Sequence, residues 1–225
     1  MVQSAPLGST RAARGARSAA KRSRGRPTGD AMVDPHDLLK VGRSAFAKHG
    51  FEATSVRAIA RDAGVDPALM MHHFGSKEAL WSAIVEQIAA QILPMIRATI
   101  ELRTSALGPR QRVERALGLL IDQVFLDPDI GVFFSTAATE RGERLDLLID
   151  RLVRPYHDAF LPLLRDAMDA GELARNDPQV MFLMLTNAIG RTVSYGHVLA
   201  AFSSLPQCPE AFREAVYCTA VAMLG

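Results

Sequence analysis

With 225 residues, 48% of them hydrophobic and 6% aromatic, the chain holds enough apolar material to bury a sizeable core in one or two domains. Its longest uninterrupted apolar stretches fall short of the ~18 residues that a membrane span needs, and no apolar export segment follows the start. The expectation is a cytoplasmic protein with no membrane partner. The net charge of +2 conceals a division: residues 1–30 carry seven Arg/Lys against one acid, and the remaining residues carry 19 basic against 23 acidic side chains.

Residues 1–30 are rich in Arg, Ser, Ala and Gly and lack the apolar surface to fold alone. A basic arm of this kind suits a polyanion, nucleic acid first. Within it, Arg24-Gly25-Arg26-Pro27 resembles the core of an AT-hook. There Arg24 and Arg26 would lie along a narrow A·T minor groove, whose enhanced negative potential attracts arginine. A solvated extension, an upstream start and a transit peptide stand beside that reading.

Beyond residue 30 the pattern is helical throughout, without period-2 alternation. Asp34-Pro35 opens a first helix, Leu38, Gly42 and Phe46 recur at helical spacing, and Gly50 ends it. A second, short helix starts at Thr54/Ser55, buries Val56, Ile59 and Ala60, and ends at Gly64. A third runs from Asp66-Pro67 to about His73, and Ser76 caps a fourth. Two short helices joined by the tight Gly64-Val65-Asp66 turn form a helix-turn-helix, whose second member is the type that enters a DNA major groove.

The rest divides at its prolines and glycines into helices expected over 76–103, 109–126, 128–139, 143–170, 178–203 and 208–224. Pro94 sits inside the first, and Pro155 and Pro162 bend or split 143–170. Cys208 and Cys218 lack CxxC spacing and are about three turns apart, so they read as reduced packing residues. His72 and His73 diverge by about 100° on a helix, which is poor geometry for one metal, and no HExxH, GxSxG, Walker or GxGxxG motif is present. The expectation is no metal, no cofactor and no enzyme activity.

Residues 36–80, HDLLKVGRSAFAKHGFEATSVRAIARDAGVDPALMMHHFGSKEAL, resemble the DNA-binding domain of the tetracycline-repressor (TetR) family of bacterial transcriptional regulators. The order and spacing of Thr-Ser-Val-Arg-Ala-Ile-Ala, Ala-Gly-Val and Phe-Gly-Ser-Lys-Glu-Ala-Leu carry that resemblance. It implies an all-α chain with three parts: the basic arm (1–30), a helix-turn-helix domain (31–79) and a helical effector-binding and dimerisation domain (80–225). It also implies that Ala68, Leu69, Met71, His72 and His73 face base edges and phosphates, with Met70 and Phe74 turned into the core. Thr54, Ser55, Arg57 and Lys77 match positions that hold phosphates. Leu69 and Met71 depart from the family, where Ser/Thr and Tyr are common. They leave apolar contact with thymine methyls, and more of the polar work falls to the histidines.

The implied partners are a palindromic double-stranded operator, a second copy joined through the last two long helices, and an unidentified small-molecule effector. One helix stripe, Leu183, Asn187, Arg191 and Tyr195, together with Phe125, Phe134, Tyr156, His157, Phe160 and Met184, supplies candidate pocket residues. Gly190 and Gly196 suit close helix approach at the dimer. Helix 76–103 is the expected lever. A repressor released by its effector is the leading expectation; an architectural DNA-binding protein, an activator and a regulator without an effector are the rivals.

Overall fold

The computed structural model describes residues 34–225, which form helices joined by short turns, with no strand among the described residues. The basic arm, with Arg24 and Arg26, lies outside the described residues.

Helix α1 (Pro35–Ala53) opens where the Asp34 carboxylate accepts the His36 N–H at 2.8 Å, with Pro35 in the first turn, where its missing N–H costs nothing. Regular helical geometry stops at Gly50, whose φ of +75° is the left-handed turn that glycine adopts without strain. Helices α2 (Val56–Asp62), α3 (Pro67–Phe74) and α4 (Lys77–Leu102) are capped by Ser55, Asp66 and Ser76. Each side-chain oxygen accepts an otherwise orphaned first-turn N–H.

The chain continues through α5 (Pro109–Leu126), α6 (Pro128–Ala137), α7 (Glu143–Leu148), α8 (Arg154–Asp169), α9 (Pro178–Ser194), α10 (Gly196–Leu199) and α11 (Pro209–Ala222). Two expected helices are divided. The 143–170 segment widens into a π-turn over Ile149–Val153, where the Arg154 N–H reaches back five residues to the Ile149 carbonyl. Pro155 follows at once and has no N–H with which to close an α-turn, so the widening accommodates it. The 178–203 segment breaks at Tyr195. Gly196 then lies beside the Phe212 ring, where an added Cβ would make an ordinary contact at 3.5 Å.

Helix α4 runs through the middle, packed by α1, α5 and α8, with Leu80, Ile84, Val85 and Ile88 fully buried. By length and composition it is apolar enough to cross a membrane, which the count of uninterrupted apolar runs missed. In this fold that apolar face forms the core. No packing gap follows residue 79. The Trp81 ring lies 5.2 Å from Phe46, 5.5 Å from Phe51 and 5.0 Å from Phe133, so α1, α4 and α6 share one aromatic cluster. Cys208 and Cys218 are free but exposed, which corrects their reading as packing residues.

A polar bond reinforces the same junction. Arg43 on α1, only 7% exposed, grips Asp127 at the α5–α6 corner through both nitrogens, at 2.9 and 3.0 Å. Gln91 on α4 donates to the same carboxylate at 3.2 Å. Removing one partner of such a pair strands a charge that is largely out of water. Asp127→Ala should therefore cost about 3 kcal/mol in chemical denaturation. A loss below about 0.5 kcal/mol, as for an exposed pair, would show that the bond contributes little.

Candidate functional site

The helix-turn-helix is built on a small number of inward contacts. Gly64, with φ +69°, turns the chain out of α2, and the Val65 N–H closes the corner on the Ala60 carbonyl at 2.9 Å. From there α3 presents two faces. Met70 is fully buried and Phe74 half-buried against the core. Ala68, Met71, His72 and His73 are exposed, and Leu69 is half-buried. The two imidazoles stand 5.7 Å apart, edge to face. Among the described residues no three His, Cys, Asp or Glu side chains gather into a metal-sized cluster.

The positions expected to hold phosphates behave unequally. Ser55 and Arg57 are exposed at the start of α2, and the Ser55 oxygen caps the Ala58 N–H at 3.1 Å while keeping its own O–H. Thr54 is 5% exposed and its hydroxyl donates to the Gly50 carbonyl at 2.7 Å. Its side chain closes the end of α1 and does not face solvent, so the expected side-chain contact is corrected. Lys77 also turns inward. Its ammonium donates to the carbonyls of Phe51 (2.8 Å) and Thr54 (3.0 Å) and stands 4.2 Å over the Phe51 ring. Arg144 approaches the same ring at 4.0 Å. With two of its three N–H groups occupied, Lys77 clips α4 to the α1–α2 corner.

A separate cleft of about 170 Å³ opens among α4, α5, α6, α8 and α9. Its walls are mainly aliphatic and aromatic, with Ile88, Ile92 and Met95 from α4, Leu120 and Val124 from α5, and Ile130 from α6. The widened turn before Pro155 contributes Leu152 and Val153. Of the expected pocket residues, Phe134, Tyr156, Leu183, Asn187 and Arg191 line it. Five others do not. Phe125 packs on Phe212 at 5.2 Å, and Phe160 is fully buried beside Tyr156. His157 sits with its ring edge to Phe182 and bonds Asp158 and Gln179. Met184 is 60% exposed, and Tyr195 lies beyond the end of α9. Leu183 lines the cleft, and Met184, one residue on, is turned about 100° away.

Three of the lining residues that were not anticipated bear on the geometry of the site. Asp127 belongs both to the cleft and to the bond with Arg43. The Gln123 amide nitrogen is buried with no partner. At Gly131, an added Cβ would lie 2.0 Å from the Ser194 oxygen and 3.4 Å from the Gly190 carbonyl, so a larger residue would displace the Ser194 hydroxyl and crowd α6 against α9. By contrast, an added Cβ on Gly190 would meet nothing within 4 Å. Burial holds the Tyr156 phenol far above its ordinary pKa, so it remains an O–H donor.

Residues 38–84, the segment from α1 into α4 that builds this helix-turn-helix, match the family model of bacterial regulatory proteins of the tetR family. Over that segment the chain is similar to the TetR family. It is 38% identical over 64 residues to the HTH-type transcriptional regulator UidR of Escherichia coli K12, covering 28% of this chain and 33% of UidR. In that match the chain spans about a third of the relative's length. To the HTH-type transcriptional repressor NicS of Pseudomonas putida it is 24% identical over 171 residues, covering 74% of this chain and 78% of NicS. A tetR-family regulatory protein from Rhodococcus RHA1 shares the fold, with TM-score 0.67 and 18% identity over 84% of this chain and 96% of that one. The family match ends before the cleft begins at Ile88.

The clip at Lys77 makes a prediction that differs from that of a surface phosphate contact. Lys77→Ala should lower stability by about 1–3 kcal/mol through the loss of two charge-assisted bonds to carbonyls, of which that of Phe51 keeps the Thr54 N–H, read by thermal and chemical melts without DNA. An unchanged melt would return Lys77 to a purely external role.

Proposed function

We propose that the chain is a sequence-specific DNA-binding transcriptional regulator, a homodimeric repressor released from a palindromic operator by a small ligand in the cleft. The observation that carries this reading is the division of α3. Met70 is anchored in the core, while Ala68, Met71, His72 and His73 are exposed. A helix held by one face offers the other to the major groove. His72 reads a base edge and His73 a phosphate. Leu69 and Met71 touch thymine methyls, and Ser55 and Arg57 hold the backbone at the start of α2, where N–H groups attract anions. Lys77 keeps one N–H for a phosphate.

Residues 34–80 carry six basic and six acidic side chains, so the head itself brings no net charge to DNA. The electrostatic share of binding then leans on the basic arm, with Arg24 and Arg26 in the flanking minor groove. A single eight-residue helix makes few contacts, and a dimer supplies the second. On α9, Val180 and Met184 are exposed, and at four-residue steps they continue into Ala188 and Thr192 beside a groove shared with α11. That stripe is the surface for the partner copy. The protein is cytoplasmic on this reading.

Helix α6 couples the two sites as directly as α4 does. Ile130 and Phe134 line the cleft, while Phe133 packs on Trp81 and Thr136 donates to the Ala47 carbonyl on α1 at 2.8 Å. A ligand that favours another placement of α6 shifts the head only by its differential affinity for the two arrangements.

The test is fluorescence anisotropy on promoter DNA from upstream of the reading frame beside a scrambled duplex, at two salt concentrations, with and without residues 1–30. A salt-resistant preference for the promoter, at two subunits or a multiple per site, is expected. Equal affinity for both duplexes, lost at high salt, would favour an architectural protein. His72→Ala should relax preference at one symmetric pair of base positions by about 1–3 kcal/mol. Uniform weakening across sequences would make His72 a backbone contact.

A further inference from the structure

Most polar atoms around the cleft already have partners. The Ser135 and Thr186 hydroxyls donate to carbonyls of their own helices, Gly131 at 2.9 Å and Phe182 at 2.7 Å. The Asp127 carboxylate is held by Arg43 and Gln91, so its charge is matched. What remains is one neutral acceptor, the exposed Asn187 Oδ1, whose amide nitrogen donates to the Leu183 carbonyl at 2.8 Å, and donor capacity. The Gln123 amide nitrogen is buried and unpartnered. The Tyr156 O–H is 3.5 Å from the Ala116 carbonyl, at the outer limit of a hydrogen bond. Arg191, exposed at the rim, is in no ion pair among the described residues. The uncompensated charge of the lining is therefore positive, and its buried unmet need is for an acceptor.

Size narrows the ligand further. An apolar cavity of about 150 Å³ takes one benzene-sized molecule, and the cleft is close to that and partly open to solvent. We propose that it binds a small amphiphilic monocarboxylate. The hydrocarbon body lies against Ile92, Phe134 and Leu152, and the carboxylate accepts hydrogen bonds from Gln123 and Arg191. An ammonium head would meet the same donors and no free acid. The proposal rests on the ligand-responsive reading for its regulatory meaning, and its test is binding alone.

The full-length chain is titrated calorimetrically with sodium octanoate, octan-1-ol and octylammonium chloride, which share one body and differ in the head. Fluorescence of the single Trp81, in contact with α6 through Phe133, is a second readout. Octanoate should bind tightest, octanol roughly tenfold or more weaker, and octylammonium weakest, in line with the loss of a charge-assisted hydrogen bond. Arg191→Met should bring octanoate to the octanol level and leave octanol unchanged. Gln123→Leu should weaken octanoate and octanol alike while raising Tm, because it removes an unpaired buried amide. Melting and sedimentation of both variants report folding and assembly separately. Octylammonium binding as tightly as octanoate, binding of none of the three, or octanoate affinity unmoved by both substitutions overturns the proposal. Promoter affinity is measured on the same samples. Promoter binding without octanoate binding rejects the ligand class and keeps the regulator; the reverse keeps the ligand class and rejects the regulator.

Discussion

The grip of Arg43 on Asp127 is the constraint on which the rest of the arrangement depends. The first three helices have little core of their own: one buried methionine on α3, two buried residues on α2, and the inner face of α1. They gain rigidity by leaning on α4 and α6, and the ion pair fixes where they lean. It closes α1 onto the α5–α6 corner, and Gln91 brings α4 to the same carboxylate. Such a bond gives little net stability against an apolar substitute, but it defines one geometry because a misplaced partner leaves a charge out of water.

The same corner forms part of the cleft, and this gives the structure its functional logic. Asp127 begins α6, a short helix with one side in the cleft and the other on α1. Gly131 lets α6 settle directly on the backbone of α9, where Ser194 donates to the Pro128 carbonyl at 2.9 Å. A body that enters the cleft therefore presses on an element held tightly on two sides. Packed interfaces of this kind move between discrete arrangements more readily than they deform.

Much of this was legible in the sequence because local chemistry decides it. Asp34, Ser55, Asp66 and Ser76 stand before apolar-periodic runs and cap them, and the expected element order follows from those caps and from the prolines beside them. The α3 face was legible too, since Met70 and its exposed neighbours follow from one helical register. What stayed hidden depends on long-range contact. Nothing local says that Thr54 and Lys77 turn inward, because their partners are carbonyls at a corner formed by three helices. The cleft was half legible: Asn187 and Arg191 share a stripe that points into it, but Phe125 and Phe160 have the composition of pocket residues and the surroundings of core. Gly131 carried a signal, an isolated glycine within an apolar helical run, which marks close approach. Gln123 and Asp127 carried none, since polar residues at the surface and at a cleft look alike in sequence.

On the function proposed above, two copies of α3 read a two-fold symmetric DNA sequence. Selection of duplexes from a randomised library by the full-length chain, followed by sequencing, tests it most directly. An enriched inverted repeat is expected, with half-site centres about 34–36 Å apart or at a multiple of that spacing. Enrichment of a motif without two-fold symmetry, or of A·T content alone, would contradict it.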